Sequence, residues 1–351
     1  MSLLLIDKDA ALRKLADEVF ERQFADDPRL NDELDEWAKR AMYQDAAYNV
    51  NFLRTVLTLG DDGLYAAHAR WVHQLLVPLL PNCTRERVRD IMAAHYELIR
   101  SCMEPTMPAE DRPRMHRILD GAVRAAFDEC ARETPPSDGF AVYREESELL
   151  LDRLLNADTI SVSALVLEFA SGGIPLPDLY VDIVAPVMRR VGELWHRNII
   201  SVDVEHRCTS TMQIALSQFY PFVFEQERRG KTLLVACVGS ELHELGARTV
   251  ADLFEYSGWD SVFLGAATPV ETIEAAIDEH DPILVALSVT MTHHLPLCKE
   301  VVERLRASRP NVAIAVGGRA FENTGAWKSW DVDECATDAR VLVRWAEENL
   351  G

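Results

Sequence analysis

No CxxC pair occurs in the 351 residues of this chain. Its seven cysteines, at 83, 102, 130, 208, 237, 298 and 335, are dispersed, which argues against a zinc ribbon or a dithiol redox site and suits a reducing compartment. Basic residues are scarce: 36 Lys and Arg stand against 57 Asp and Glu, a formal charge of −21. Broad binding to DNA or RNA needs a basic surface, so it is disfavoured, as is an anionic membrane face. Long apolar runs are also missing. The opening MSLLLIDKDAALRKLADE has four apolar residues and then acids, not the apolar core of a secretory signal, and no stretch approaches a membrane span. A cytoplasmic protein is expected. No P-loop, catalytic triad or metal-hydrolase cluster is visible, so no catalytic residue is assigned and a non-enzyme is expected.

What is present divides into three regions. Residues 1–132 read as all-helical, as in LYAAHARWVHQLLVPLL, where Leu64, Ala67, His68, Trp71, Leu75 and Leu79 recur at three- and four-residue steps. Pro78, Pro81, Pro105, Pro108 and Pro113 are expected to break this region, and ETPPSDG (133–139) reads as a linker. Residues 140–228 read as a four-helix bundle. There Leu179, Ile183, Val184, Val187, Val191 and Leu194 form one apolar face, and Ser201 is the expected N-cap of the next helix. Residues 229–351 alternate short β-branched runs (TLLVACVG, SVFLG, ILVALSV, VAIAVGG and a weaker VDECA) with helical segments. That pattern predicts a doubly wound parallel sheet of flavodoxin-like, Rossmann type, whose ligand edge is the carboxyl end of its strands. The fold class is thus α plus α/β.

ELHELG, at 241–246, follows the first of those strands. A nucleotide site would want glycines at this junction; here there is a histidine. Taken alone, a histidine opening a helix is more often a cap or a packed residue. Two further signals share its edge: Ser288-Val-Thr290 ends the third main strand and Gly317-Gly318 the fourth. Between Gly246 and Ser288 lie 41 residues, and between Thr290 and Gly317 lie 26. This resembles the cobalamin-binding domains, which carry DxHxxG, SxL and GG at these two intervals. The resemblance implies that His243 is the lower axial ligand of cobalt and that Glu241, in place of Asp, accepts from its second nitrogen. Gly246, Ser288, Thr290 (in place of Leu), Gly317 and Gly318 would then border the slot for the cofactor's nucleotide tail. His293 and His294 follow the third strand, and either contact with the cofactor's periphery or a plain polar loop fits them.

The bundle adds VGELWHRNIISVDVEHRCTS, in which nine residues separate Trp195 from Glu205-His206. The spacing is similar to the W-x9-EH signature of CarH- and LitR-type light receptors, which use adenosylcobalamin as chromophore. That resemblance implies Trp195 as a wall of the adenosyl chamber, Glu205 as acceptor for the nucleoside, and His206 as donor to nucleoside or corrin. It implies His196 as the upper cobalt ligand after photolysis. A bundle-core tryptophan and a solvated first helical turn are the bland alternatives for the same residues.

CarH-type repressors begin with a basic helix-turn-helix domain, which the acidic first 132 residues do not show. The arrangement is similar to the photocobilins, in which a cobalamin module is joined to a helical domain that binds biliverdin. That implies a bilin site with His68, His73, Arg70 and Tyr48 as candidates, set among Tyr43, Tyr65, Trp71, His95 and Arg54. Cys83 and Cys102 are open as covalent attachment points. A light-dependent homo-oligomer and a separate effector protein are the implied partners, with no nucleic acid and no membrane. The alternative function is a corrinoid methyl carrier of a methyltransferase system. An adenosylcobalamin mutase would need a substrate barrel, for which the chain has no room.

Overall fold

The computed structural model describes residues 10–132, 139–156 and 158–351. The opening nine residues and nearly all of the proposed linker (133–138) lie outside this set. The chain divides into two compact units, Met1–Pro135 with His196–Asn198, and Pro136–Trp195 with Ile199–Gly351.

The first unit is helical throughout its described secondary structure: α1 (Ala10–Asp26), α2 (Leu30–Glu33), α3 (Glu36–Leu59), α4 (Gly63–Leu79), α5 (Arg85–Met103) and α6 (Arg112–Ala131). Local chemistry sets the ends. Asp35 caps α3 by accepting from the Ala38 amide at 2.8 Å, and Gly60 ends it in the left-handed conformation that glycine adopts without strain. Thr84 caps α5 through the Arg87 amide. The helix expected over LYAAHARWVHQLLVPLL forms as α4, and its buried stripe is Leu64, Tyr65, Ala69, Val72 and His73, while Ala67, His68 and Trp71 share the same spacing on a neighbouring face. The proline breaks need correction. Pro78 lies inside the last turn of α4 and does not break it, while Pro113 sits in the first turn of α6, where its missing N–H is unneeded.

A polar chain crosses this helical core. Gln23 Oε1 accepts from His95 Nδ1 at 2.7 Å, His95 Nε2 meets Asn49 Nδ2 at 3.3 Å, and Asn49 Oδ1 meets His68 Nε2 at 3.0 Å. Tyr65 donates to the Asn49 carbonyl. With Asn49 Nδ2 as donor, His95 Nε2 accepts and that ring is neutral, while His68 donates from Nε2 to Asn49 Oδ1. Burial pushes His68 down to about 3 and His95 to about 4.

The second unit begins with α7 (Arg144–Asn156), α8 (Thr159–Ser171) and α9 (Leu176–Asp178). A π turn (Leu179–Val184) then runs into α10 (Ala185–His196), followed by α11 (Val202–Leu216) and α12 (Tyr220–Val223). The apolar face expected over 179–194 is buried at all six positions. Ser201 occupies the N-cap position of α11 in extended backbone, but its side chain makes no capping bond.

The sheet and its helices follow: β1 (Thr232–Cys237), α13 (Leu245–Tyr256), β2 (Asp260–Phe263), α14 (Val270–His280), β3 (Leu284–Ser288), α15 (Leu295–Ser308), β4 (Ala313–Gly317), β5 (Glu334–Ala336) and α16 (Ala339–Asn349). All pairings are parallel, in the order β2-β1-β3-β4-β5, the flavodoxin-like arrangement. Leu233, Val235 and Cys237 of β1 join α13 and α16 in one core, and the alternate Leu234 and Ala236 are also fully buried. Both faces of the sheet are therefore covered, as parallel strands of continuous apolar sequence require.

The bundle packs on this α/β layer through α13 and α16. Leu253 belongs to the bundle core, with Leu245, Ala339 and Val343 packed against it. Polar ties accompany the apolar ones. Tyr180, in the π turn, donates to Asp252 of α13 at 2.6 Å; Arg248 donates to the Tyr220 hydroxyl at 2.5 Å; Arg340 binds Asp182 at 2.7 Å and Asp178 at 3.3 Å.

Candidate functional site

Register places the three motif ends side by side. Cys237 pairs with Ser288, Ser288 with Gly317, and Gly317 with Ala336, so one row across four strands forms the carboxyl edge. His243 rises from the loop that leaves β1 at this edge. The loop runs to Glu244, and the helix expected to open around the histidine begins at Leu245.

Glu241 organises the loop from a fully buried position. Its Oε1 accepts from His243 Nδ1 at 2.5 Å and from the His243 amide at 3.0 Å. Its Oε2 accepts from the Thr290 and Met291 amides at 2.9 and 2.7 Å and from His294 Nδ1 at 3.2 Å. Burial alone would raise this carboxyl; the bonds from His243, His294 and the two backbone amides outweigh it and hold Glu241 well below the usual carboxylate range. Glu241 thus accepts at every oxygen, and His243 must carry its proton on Nδ1. Nε2 is left without a hydrogen bond among the described residues, on a side chain that is 59 % exposed. The bond to Glu241 raises His243 above its ordinary value; partial burial opposes this, Glu205 adds to it, and Arg319 pulls it back.

Glu244 joins the loop to its surroundings on both sides. It accepts from Gln213 of α11 at 2.7 Å and from the Ala266 amide, beyond β2, at 3.0 Å. Neither Glu244 nor Gln213 stood out in the sequence, since a surface glutamate and a mid-helix glutamine carry no spacing signal. His293 and His294 are buried, at 5 and 3 % exposure, so the polar-loop reading of them is replaced. His294 Nε2 lies 2.9 Å from Ser240 Oγ.

The glycines have structural reasons of their own. A Cβ on Gly317 would stand 2.3 Å from the Ala336 carbonyl oxygen. At Gly318, with φ of +103°, it would stand 2.4 Å from that of Val289. A side chain is thus excluded at both by the neighbouring backbone, whatever ligand lies beyond. Gly246 differs: a Cβ there meets nothing within 4 Å.

On the bundle, Trp195 is half-buried in the last turn of α10, and His196 closes that helix but belongs to the first compact unit. Glu205, in the first turn of α11, accepts from Thr209 at 3.0 Å and pairs with the exposed His206 at 2.8 Å. In the first unit, Tyr48 and His68 lie with ring centres 5.3 Å apart, and Trp71 stacks on His68 at 6.2 Å. His73 is buried elsewhere with Nε2 unpartnered, while Arg70 is exposed. Among the described residues no helix is long and apolar enough to cross a membrane, and no group of three or more His, Cys, Asp or Glu could hold a metal ion.

The arrangement fits a cobalt corrin on its own chemistry. It presents one imidazole nitrogen without a hydrogen bond among the described residues, its partner nitrogen fixed by a buried anion, at the carboxyl edge of a parallel sheet.

Comparison with known proteins agrees. Residues 231–341 match a B12 binding domain family, and residues 147–220 match a second B12 binding domain family. The HTH-type transcriptional repressor CarH of Myxococcus xanthus is 26 % identical over 157 residues, 44 % of this chain and 52 % of that protein. The chain therefore spans about half the length of that relative. Dimethylamine corrinoid protein 1 of Methanosarcina acetivorans is 23 % identical over 188 residues, 52 % of this chain and 87 % of that one. The solved monomethylamine corrinoid protein of Methanosarcina barkeri superposes with a TM-score of 0.52 at 21 % identity, covering 58 % of this chain and 98 % of its own, a likeness of fold. The two domain matches support a cobalamin cofactor, carried by the second unit.

Proposed function

We propose that the chain is a light sensor that uses adenosylcobalamin, with no catalytic residue of its own. The observations that support the reading are the Glu241-held His243 on the strand edge and the placement of Trp195 at the end of α10 and of Glu205 in the first turn of α11. When bound, adenosylcobalamin supplies a photolabile cobalt–carbon bond. The residues then divide the work. His243 would hold cobalt through Nε2, with Glu241 keeping the proton on Nδ1. Gly317 and Gly318, with Ser288 and Thr290, leave the strand edge open for the nucleotide tail, and Gly246 lets α13 start beside it. Trp195 provides a flat apolar wall above, Glu205 accepts from the nucleoside hydroxyls, and His206 donates beside it. His196 would be the second imidazole available to hold cobalt.

Output follows from the ties between layers. Gln213–Glu244, Tyr180–Asp252 and Arg340–Asp182 join the bundle to the α/β layer, so a change above the loop is felt in the bundle packing. The reading expects a change in homo-oligomeric state or in binding to a separate effector. Biliverdin is the proposed second chromophore, with Tyr48 and His68, whose rings are in contact, and Arg70 and His73 as the candidate residues of the first unit.

The second reading is a corrinoid methyl carrier. It is favoured by the alignment that runs through bundle and sheet together over 87 % of a dimethylamine corrinoid protein. Purification in darkness with adenosyl- or methylcobalamin, followed by spectra before and after a green pulse, separates the two. The sensor gives a stable dark adenosyl spectrum and a photoproduct that His196→Ala loses. A red band on adding biliverdin marks the bilin. Stable uptake of methylcobalamin alone favours the carrier, and no corrin uptake sinks both.

A further inference from the structure

Glu205, Thr209 and Gln213 stand four residues apart on α11, so they share one face of the helix. Thr209 donates to Glu205 at 3.0 Å, and Gln213 donates to Glu244 at 2.7 Å, so this face is polar from the first turn of α11 to the loop that carries His243. Other residues of α11 are tied differently. Arg207 and Cys208 donate to the Leu155 and Leu154 carbonyls of α7, and Thr211 meets Thr159 of α8 at 3.4 Å, all inside the bundle. Gln213 reaches out of the bundle, to the residue that follows His243. Glu244 is pinned on its far side as well. Its other oxygen accepts from the Ala266 amide at 3.0 Å and lies so close over Gly265 that a Cβ there would stand 3.3 Å from it. Glu244 is therefore a post, its foot in the loop after β2 and its head on α11.

We propose that Gln213 is a positioning residue for the upper side of the cofactor site: its bond to Glu244 sets the distance of α11 from the His243 loop, and with it the preference for a corrinoid whose upper ligand is a nucleoside over one whose upper ligand is a methyl group. The inference rests on the reading of Glu205 as acceptor for that nucleoside and deepens it. On a helix that rises about 1.5 Å per residue, Glu205 stands about 12 Å from Gln213. A tilt of α11 by about 10° therefore carries Glu205 through about 2 Å, more than the range of about 0.5 Å over which a hydrogen bond holds its strength. A nucleoside hydroxyl bonded to Glu205 feels that displacement. A methyl ligand forms no hydrogen bond and does not. The tie itself ends on a carboxylate, the stronger class of acceptor. Its loss is expected to weaken binding of the nucleoside form by about 10-fold.

The test titrates the full apo chain in darkness with adenosylcobalamin and with methylcobalamin, and reads the ratio of the two affinities. Wild type is expected to favour the adenosyl form, and Glu205→Ala to lose that preference. Gln213→Ala should cut the ratio by about 10-fold, with the affinity for methylcobalamin changed by less than about 3-fold. Gln213→Asn, an amide one methylene shorter, should fall in the same direction even where the alanine variant folds poorly. Gln213→Glu sets two carboxyl groups face to face and should cut the ratio further. Adding Glu244→Gln to that variant exchanges amide and carboxylate across the contact, keeps an acceptor for the Ala266 amide, and should restore the ratio, which a general loss of packing would not permit. Without cofactor, the Gln213 side-chain amide should exchange slowly with solvent in wild type and fast in Glu244→Ala. An unchanged ratio in Gln213→Ala and Gln213→Asn, an equal loss for both cofactors, or no rescue by the exchanged pair overturns the proposal while Glu205 keeps its role. A wild type without preference for the adenosyl form, unmoved by Glu205→Ala, overturns the nucleoside reading, and this inference with it.

Discussion

Tyr180→Phe removes one oxygen from the contact between the bundle and the α/β layer, and its cost should depend on pH. The Tyr180 hydroxyl donates to Asp252 at 2.6 Å, with Tyr180 fully buried and Asp252 4 % exposed. Burial pushes the Asp252 carboxyl up to about 6 from 3.8, against the bond from Tyr180 and the charge of Arg248; Glu255 pushes it further up. Because the folded-state value is raised, this group's favourable contribution is full below 3.8 and is lost as pH rises through about 6. Above that, the carboxylate is buried as an anion and leans on its donors. A hydrogen bond to a charged group contributes about 1.5–3 kcal/mol and a neutral one about 1 kcal/mol. Tyr180→Phe should therefore cost about 2 kcal/mol at pH 8, where Asp252 is ionised, and about 1 kcal/mol at pH 5, where it is mostly protonated. Urea unfolding of the full chain at the two pH values, with and without Asp252→Asn, reads this directly. In the Asn background the cost of Tyr180→Phe should be the same at both. Equal losses at pH 5 and pH 8 in the Asp252 background, or a loss below about 0.5 kcal/mol at pH 8, would refute the reasoning.

Two further outcomes are expected. Gly318→Ala should destabilise the second unit by about 2 kcal/mol or more and impair corrin uptake, since φ is +103° and the new methyl meets the Val289 carbonyl at 2.4 Å; Gly246→Ala, with open space, should stay within about 1 kcal/mol in either direction, both read by denaturation. In the first unit, burial lowers His95 from 6.5 to about 4, so its favourable contribution is present above 6.5 and is lost as pH falls toward about 4. That is a loss of roughly 3 kcal/mol at most, and His95→Gln, which keeps a donor toward Gln23, should flatten the acid limb of the stability profile; an unchanged slope would show that another group controls it.

Much of the α/β layer was legible because its signals are local. β1 to β4 are short apolar runs at the predicted places, the weaker β5 falls within VDECA, and each helix begins and ends within a few residues of its expected limits. The site edge was legible for the same reason: glycines that a neighbouring carbonyl forbids from bearing a Cβ are visible as Gly-Gly, and a histidine two residues after a carboxylate marks itself. The rotation of α4 was not legible, because two adjacent faces carry apolar or aromatic residues at the same spacing and only the packed core chooses between them. Nor was the bond from His294 to Glu241, which depends on β3 lying beside β1, a tertiary fact absent from either stretch of sequence. The polar chain through Gln23, His95, Asn49 and His68 joins four helices and is equally invisible to periodicity.

One feature of the edge reaches beyond this site. Glu241 leaves the end of β1, yet three of its five donors come from the segment after β3, two strands later in sequence and next door in the sheet. The carboxylate thus works as a caliper laid across two strands. Sliding β3 by one residue against β1 would carry the Thr290 and Met291 amides away by about 3.3 Å and turn each side chain to the opposite face. Only the register in which Leu233 stands opposite Leu284 closes the caliper on His243. The aim of the histidine is in that sense a measurement of strand alignment. Insertions in the α14 crossover should leave it untouched, whereas a single added residue between Cys237 and Glu241 should spoil it.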